Sequence, residues 1–195
     1  MSEAPALDPR RFRETLGRFA TGVTVVTTFC ADEDGQGGCA QRPHPAGGHA
    51  WGTTVNAFSS LSLDPPLVLI CIGRERSIHP VIASAGRFAI NILGEGSQQL
   101  SDCFAGAPSV LPRSAFCDAP FHVGEHDTPI LDASIAHMEC KVERSVDAGD
   151  HTIYIGRVLA AAAGDDHQLP LLYFRGRYLR IESAAASDLR GKPDS

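Results

Sequence analysis

Apolar and β-branched positions in this chain gather into short runs separated by Gly, Pro and Asp, the pattern of a strand-rich domain. "GVTVVTTF" (22–29) is dense in β-branched residues and predicts a strand. Further strands are predicted at about 50–60, 66–73, 87–93 ("RFAINIL"), 132–146, 151–163 and 170–181. Helical patterning is confined to three segments. Asp8-Pro9 reads as an N-cap and first helical residue, and Phe12, Leu16 and Phe19 then recur at i, i+4 and i+7. "RSIHPVIASAG" (76–86) predicts a short helix begun by Ser77, with Pro80 confining it to a turn or two, and "SQQLSDCFAG" (97–106) a helix capped by Ser97. Residues 30–49 read as a long loop, 107–131 as a stretch of loop rich in proline, and 182–195 as a disordered tail.

Several of these strands follow one another with no helix between them. That order favours an antiparallel, closed or partly closed barrel with a few helices outside, a mainly β (α+β) domain. A doubly wound parallel sheet would need a helix after each strand. "GEG" at 94–96 lacks a third glycine and opens no strand-to-helix crossover, so a Rossmann nucleotide site is not expected.

One stretch departs from the strand pattern. "TTVNAFSSLSLDPPLVLI" (53–70) places hydroxyls at Thr53, Thr54, Ser59, Ser60 and Ser62, and an amide at Asn56, on a segment that otherwise reads as strand. Either it is a solvated edge or it is a polar shelf for a flat ligand. Arg74, Arg76 and Ser77 stand just beyond it at the start of the predicted helix, where unpaired N–H groups and an arginine suit a phosphate. His151, after Gly149-Asp150 at a predicted hairpin turn, is the titratable candidate nearest this chemistry.

Composition narrows the partners. The 195 residues, 43% hydrophobic, allow one full-sized core, with few aromatics to fill it. A net charge of −6 argues against nucleic acid or an anionic membrane. No apolar run approaches the ~20 residues of a membrane span, and the first residues lack the apolar core of an export signal, so a cytoplasmic location is expected. The scattered cysteines (30, 39, 71, 103, 117 and 140) form no CxxC and are expected to be reduced thiols. Cys30, Cys39, His44 and His49 share the first long loop without a standard zinc spacing, and no metal site is expected there.

"WGTTVNAFSSLSLDPPLVLICI" closely resembles the T-x-N-[SA]-F-x-S-x-S-x-[DE]-P-P-L motif of the flavin reductase family, the small reductase components of two-component flavin monooxygenases. "FRETLGRFATGVTVVTT", "FAINIL", "LSDCFAG", "GDHTIYIGRV" and "PLLYFRGRY" are similar to further motifs of the family and stand in its order, over about residues 10–181. The resemblance implies a homodimeric split barrel that reduces diffusible FAD or FMN with NADH or NADPH and passes the reduced flavin to a monooxygenase. It leans to FAD. It implies a domain at 10–181 with an insertion at 30–49, after a 1–9 extension. The implied cofactor-binding set is Thr53, Thr54, Val55, Asn56, Ala57, Ser59, Ser60, Ile72, Arg76, Ser77, Phe104 and His151, with the ring against 53–57 and the phosphate near Ser59, Ser60, Arg76 and Ser77. His151 is the implied catalytic residue, placing the nicotinamide, and Asp150 either orients its ring or caps the turn. Ala57 stands where the motif usually has Ser. Asp64-Pro65-Pro66 needs only a structural role, turning the chain into the next strand. The rival readings are a split-barrel module that holds flavin tightly and a flavin-dependent oxidase.

Overall fold

The computed structural model describes residues 7–30, 49–106 and 116–181, so the expectations for most of the 30–49 loop and for the 182–195 tail fall outside the described residues. These residues form helices α1 (Pro9–Leu16), α2 (Ile78–Ala85) and α3 (Gln98–Ala105). The first strands are β1 (Thr21–Gly22), β2 (Thr24–Phe29), β3 (Ala50–Val55), β4 (Phe58–Leu63), β5 (Pro66–Gly73) and β6 (Arg87–Leu93). Then come β7 (Phe121–Val123), β8 (Pro129–Leu131), β9 (Ser134–Ala148), β10 (His151–Ala163), β11 (Leu172–Phe174) and β12 (Arg177–Leu179).

A seven-stranded antiparallel sheet runs β3-β2-β6-β9-β10-β5-β4. Its two edge strands, β3 and β4, are consecutive in the chain and joined only by Asn56 and Ala57. In a flat sheet the edges would stand roughly 29 Å apart, six spacings of about 4.8 Å. A link of that length, at about 3.3–3.6 Å per residue, cannot cover the distance. The sheet therefore curls until its edges meet. At the seam the Cys71 amide of β5 donates to the Ala57 carbonyl at 3.0 Å, while β3 and β4 share no ladder. The result is the split barrel that the sequence predicts. The single strand expected at 50–60 is instead two strands on opposite edges, because Asn56-Ala57 changes sides at the seam.

The barrel is filled by Val26, Ile70, Ile72, Phe88, Ile90 and Tyr154, with Ile78 and Ile82 of α2 packed on the same cluster. A second cluster lies on the other face of β2, where Val23 and Val25 meet Leu93, Phe104 of α3, Leu131 and Leu171. β2 and β6 are buried on both faces, which is why they read as continuous apolar runs. Each such side chain stabilises the fold by about 1.5–3 kcal/mol. Fully buried Asn91 pins the hairpin of β7 and β8 to the sheet. It donates to the Val25 carbonyl (3.0 Å) and Thr27 Oγ1 (2.9 Å), and accepts from the Leu131 amide (2.8 Å).

Local chemistry corrects several sequence expectations. Asp8 caps α1 as expected, accepting from the Arg10 amide at 3.0 Å. The helix ends at Leu16, before Phe19, and its apolar stripe is left uncovered by the other described residues: Phe12, Leu16 and Phe19 are 48%, 57% and 78% exposed. Ser77 and Ser97 occupy the cap positions of α2 and α3, yet neither side chain makes a capping hydrogen bond, because neither backbone adopts the extended cap conformation. The 107–131 stretch includes the three-residue strands β7 and β8. The reduced-thiol expectation fails at Cys103 and Cys117, which form a disulfide, and at Cys30, which is also disulfide-bonded. Folding brings the Cα atoms of Cys103 and Cys117 within 6.1 Å, a proximity that linear spacing cannot reveal.

Candidate functional site

A cavity of ≈ 180 Å³ opens at the barrel seam. One wall is the end of β3 and the switch after it, Thr53, Thr54, Val55, Asn56 and Ala57. The other is the end of β5 (Cys71, Ile72 and Gly73), with Arg76 above it and His151 from the start of β10 beside it. The two walls are brought together by curling of the sheet rather than by proximity in sequence.

Register explains who faces the opening. β5 alternates, with Val68, Ile70 and Ile72 directed to the core and Cys71 and Gly73 only partly buried. His151 is paired with Gly73 across β10 and β5, which sets the imidazole next to the glycine. A methyl group on Gly73 would sit 3.5 Å from Arg76 Cγ and 3.8 Å from His151 Nε2. The bare backbone at residue 73 thus leaves the gap between cation and imidazole open.

Of the residues expected from sequence, Thr53–Ala57, Ile72, Arg76 and His151 line this cavity. Ser59 and Ser60, exposed on the β4 edge, fall outside its lining, with the Ser59 hydroxyl donating to the Ser60 carbonyl at 3.0 Å. Ser77 stands at the start of α2, next to Arg76 but outside the lining. Phe104 packs behind β3 in the second core cluster, edge-on to Phe116 with ring centroids 5.2 Å apart. Cys71 and Gly73 line the cavity and were missed. The period-2 alternation of "LVLICIG" was the signal that could have found them. Thr54 is not a free hydroxyl: it donates to the Ser101 carbonyl of α3 at 2.6 Å, leaving its backbone to face the cavity.

The polar groups are held from behind. Arg76 donates to the Ala105 carbonyl at the C-terminus of α3, 3.2 Å away, so its guanidinium is steered while remaining exposed. His151 Nδ1 lies 2.7 Å from Asp150 Oδ1. That contact holds the Asp150 carboxyl below the usual carboxylate range, chiefly through the hydrogen bond from His151 and then through a hydrogen bond from its own backbone and the imidazole's charge. An ionised Asp150 only accepts, so Nδ1 carries a proton and Nε2 is the atom left to meet a ligand. Burial pushes the Cys71 thiol up, keeping it neutral beside the cavity. Backbone N–H groups, a steered arginine, small side chains and one imidazole form a polar set that suits a flat, anionic heterocycle. Among the described residues no cluster of His, Cys, Asp and Glu could hold a metal ion.

The family model for the flavin reductase like domain matches residues 16–182. The chain is 37% identical over 179 residues to an NADH-dependent flavin reductase of Rhodococcus, covering 91% of this chain and 89% of that one. It is 36% identical over 180 residues to the reductase subunit HsaB of a flavin-dependent monooxygenase of Rhodococcus jostii, covering 92% and 81%. The solved structure of the Streptomyces globisporus NADH:FAD oxidoreductase SgcE6, in complex with NAD and FAD fragments, superposes with a TM-score of 0.74 at 30% identity, over 93% of this chain and 99% of that one.

Proposed function

The chain belongs to the flavin reductase-like domain family, and from that premise we propose that it uses the seam cavity to reduce diffusible FAD or FMN with NADH or NADPH and supplies the product to a partner monooxygenase. It is an NAD(P)H:flavin oxidoreductase. The observation that carries the site assignment is the convergence of Thr53–Ala57, Gly73, Arg76 and His151 on one opening, because these are the group types that flavin and nicotinamide recognition needs.

The residues present fit a flavin. A bound flavin supplies the hydride acceptor and a dihydronicotinamide the donor, so the chain needs no strong acid or base of its own. The backbone at 53–57 would hold the ring edge, with N–H groups available to stabilise negative charge on a bound flavin. Arg76 and Ser77, at the start of α2, hold the phosphate end, and a ligand reaching past the rim meets Ser59 and Ser60 on β4. His151 Nε2 orients the nicotinamide, with Asp150 fixing the ring. Phe104 acts from behind, by fixing where β3 stands. Small side chains and an open rim suit a ligand that must leave: a dissociation constant near micromolar, about −8 kcal/mol, permits exchange during turnover.

The outer face of the barrel supports a homodimer. Leu61 and Leu63 of β4, Val146 of β9 and Leu159 of β10 are 47%, 91%, 42% and 42% exposed, apolar side chains on the large sheet that a second copy would cover. No helix among the described residues is long and apolar enough to cross a membrane. Dependence on NAD(P)H favours a cytoplasmic setting, where the Cys103–Cys117 bridge would meet a reducing thiol pool.

The test is steady-state oxidation of NADH and NADPH with added free FAD or FMN. Many equivalents of reductant consumed per enzyme support the reading. Protein that is isolated yellow and turns over little supports instead the module that holds flavin tightly.

A further inference from the structure

Behind the cavity, a line of hydrogen bonds joins the elements that carry Arg76 and His151. His79, in the first turn of α2, places Nε2 2.9 Å from Thr152 Oγ1 on β10. Thr152 in turn donates to Asp147 Oδ1 on β9, also at 2.9 Å. The Thr152 hydroxyl has one hydrogen and gives it to the carboxylate, so its oxygen accepts from His79 and the proton of His79 is on Nε2. Thr152 is buried, and Tyr154 two residues on donates to the His79 carbonyl at 3.2 Å. His79 stands three residues after Arg76 and its amide donates to the Arg76 carbonyl at 2.9 Å; Thr152 directly follows His151.

We propose that His79 and Thr152 are positioning residues that hold the start of α2 against the β9–β10 hairpin, and so set Arg76 and His151 relative to each other across the cavity. The proposal rests on the flavin reductase reading of that cavity. Backbone pairing of His151 with Gly73 already fixes the height of the hairpin on β5. Nothing in that ladder fixes the roll of α2, which the ladder does not include. Ile78 and Ile82 pack α2 on the barrel core, and the His79–Thr152–Asp147 line adds a directional polar tie from the helix to the hairpin. Neither His79 nor Thr152 lines the cavity, so each acts through its neighbour.

The experiment is a double-mutant cycle of His79→Leu and Thr152→Val, with Thr152→Ser as the conservative control. The KM for NADH, kcat, flavin affinity by fluorescence titration and the melting temperature are measured for each. One shared hydrogen-bonded line predicts that each single variant and the double variant raise the KM for NADH and the flavin Kd by similar factors, about five- to tenfold. Thr152→Ser, which keeps the hydroxyl, retains wild-type values. A residue that only stabilises the fold would lower the melting temperature without moving KM or Kd, and that result overturns the proposal. So do additive effects in the double variant. If one single variant fails to fold, the other decides through the same readouts. Arg76→Ala, run in parallel, separates the two levels. If it leaves flavin affinity unchanged, the cavity reading itself fails; if it weakens flavin while Thr152→Val does not, only the positioning role fails.

Discussion

Thr54 donates a 2.6 Å hydrogen bond to the Ser101 carbonyl, so the strand that walls the cavity is fastened to α3 from behind. Two further contacts make α3 a back plate for the site: Arg76 donates to its Ala105 carbonyl, and the Phe104 ring rests on Gly52 of β3. Thr54→Val removes the donor and leaves the wall in place by shape alone. The expected outcome is a flavin Kd raised several-fold with a loss of about 1 kcal/mol of stability, read by flavin titration and chemical denaturation.

The Gly52–Phe104 contact is sharper. A methyl on Gly52 would stand 2.5 Å from one ring carbon and 2.8 Å from the next, and Phe104, only 7% exposed and wedged against Phe116, has no room to swing away. Gly52→Ala must therefore push α3 outward. The expected cost is about 1–3 kcal/mol, with weaker flavin binding because Ala105 moves with the helix. A melting temperature lower by about 2–4 °C per kcal/mol, accompanied by a raised Kd, would be the signature. Unchanged stability would mean that the close approach is not enforced.

How far the sequence reached is visible in particular strands. β5, β6 and β10 begin and end where β-branched runs meet Gly, Pro or Asp, and these bounds agree with expectation because local chemistry sets them. The break at Asn56-Ala57 was not legible, since both halves read as strand and only closure of the sheet sends them to opposite edges. β7 and β8 were hidden among prolines, being three residues each and held by the distant Asn91. The unused caps at Ser77 and Ser97 and the Cys103–Cys117 bridge depend likewise on backbone angles and tertiary approach that no spacing encodes.

His151 and Asp150 give a pH-dependent test. The carboxyl of Asp150 is depressed, so its pairing with His151 is present above the ordinary carboxylate range and is lost as pH falls through the lowered value. His151→Ala should shift the Asp150 titration, followed by carbon NMR of the side chain, upward toward the ordinary carboxylate range, with its own backbone hydrogen bond still holding it somewhat low. The same variant should raise the KM for NADH about tenfold, or 1.4 kcal/mol, while flavin affinity changes less. An intact KM would leave His151 as a solvated turn residue.

Arginine geometry separates phosphate recognition from simple charge. Arg76→Ala should raise the flavin Kd by about tenfold, and Arg76→Lys should recover only part of this, since a point charge cannot both hold the Ala105 carbonyl and present a planar fork. Ser60→Ala, outside the cavity lining, should change Kd by no more than about threefold. Equal effects at Arg76 and Ser60 would shift the phosphate end from α2 to the β4 edge.

The cysteines allow occupancy of the cavity to be followed without any turnover. Cys71 and Cys140 are the free thiols among the described residues. Cys140 is buried in the barrel core, and that burial together with neighbouring Glu139 pushes its thiol up to about 12, so it should stay unmodified in the folded protein at neutral pH. Cys71 lines the seam, only partly buried and with a thiol raised by burial alone. A thiol reagent should therefore label Cys71 slowly in the native protein, reach Cys140 on unfolding, and reach Cys103 and Cys117 only after reduction. Saturating FAD or FMN should slow labelling of Cys71 several-fold, because a ring against residues 53–57 covers the opening that the thiol faces. Peptide mass mapping of the labelled site reads the result. Labelling of Cys71 at the same rate with and without flavin would place the ligand somewhere other than the seam.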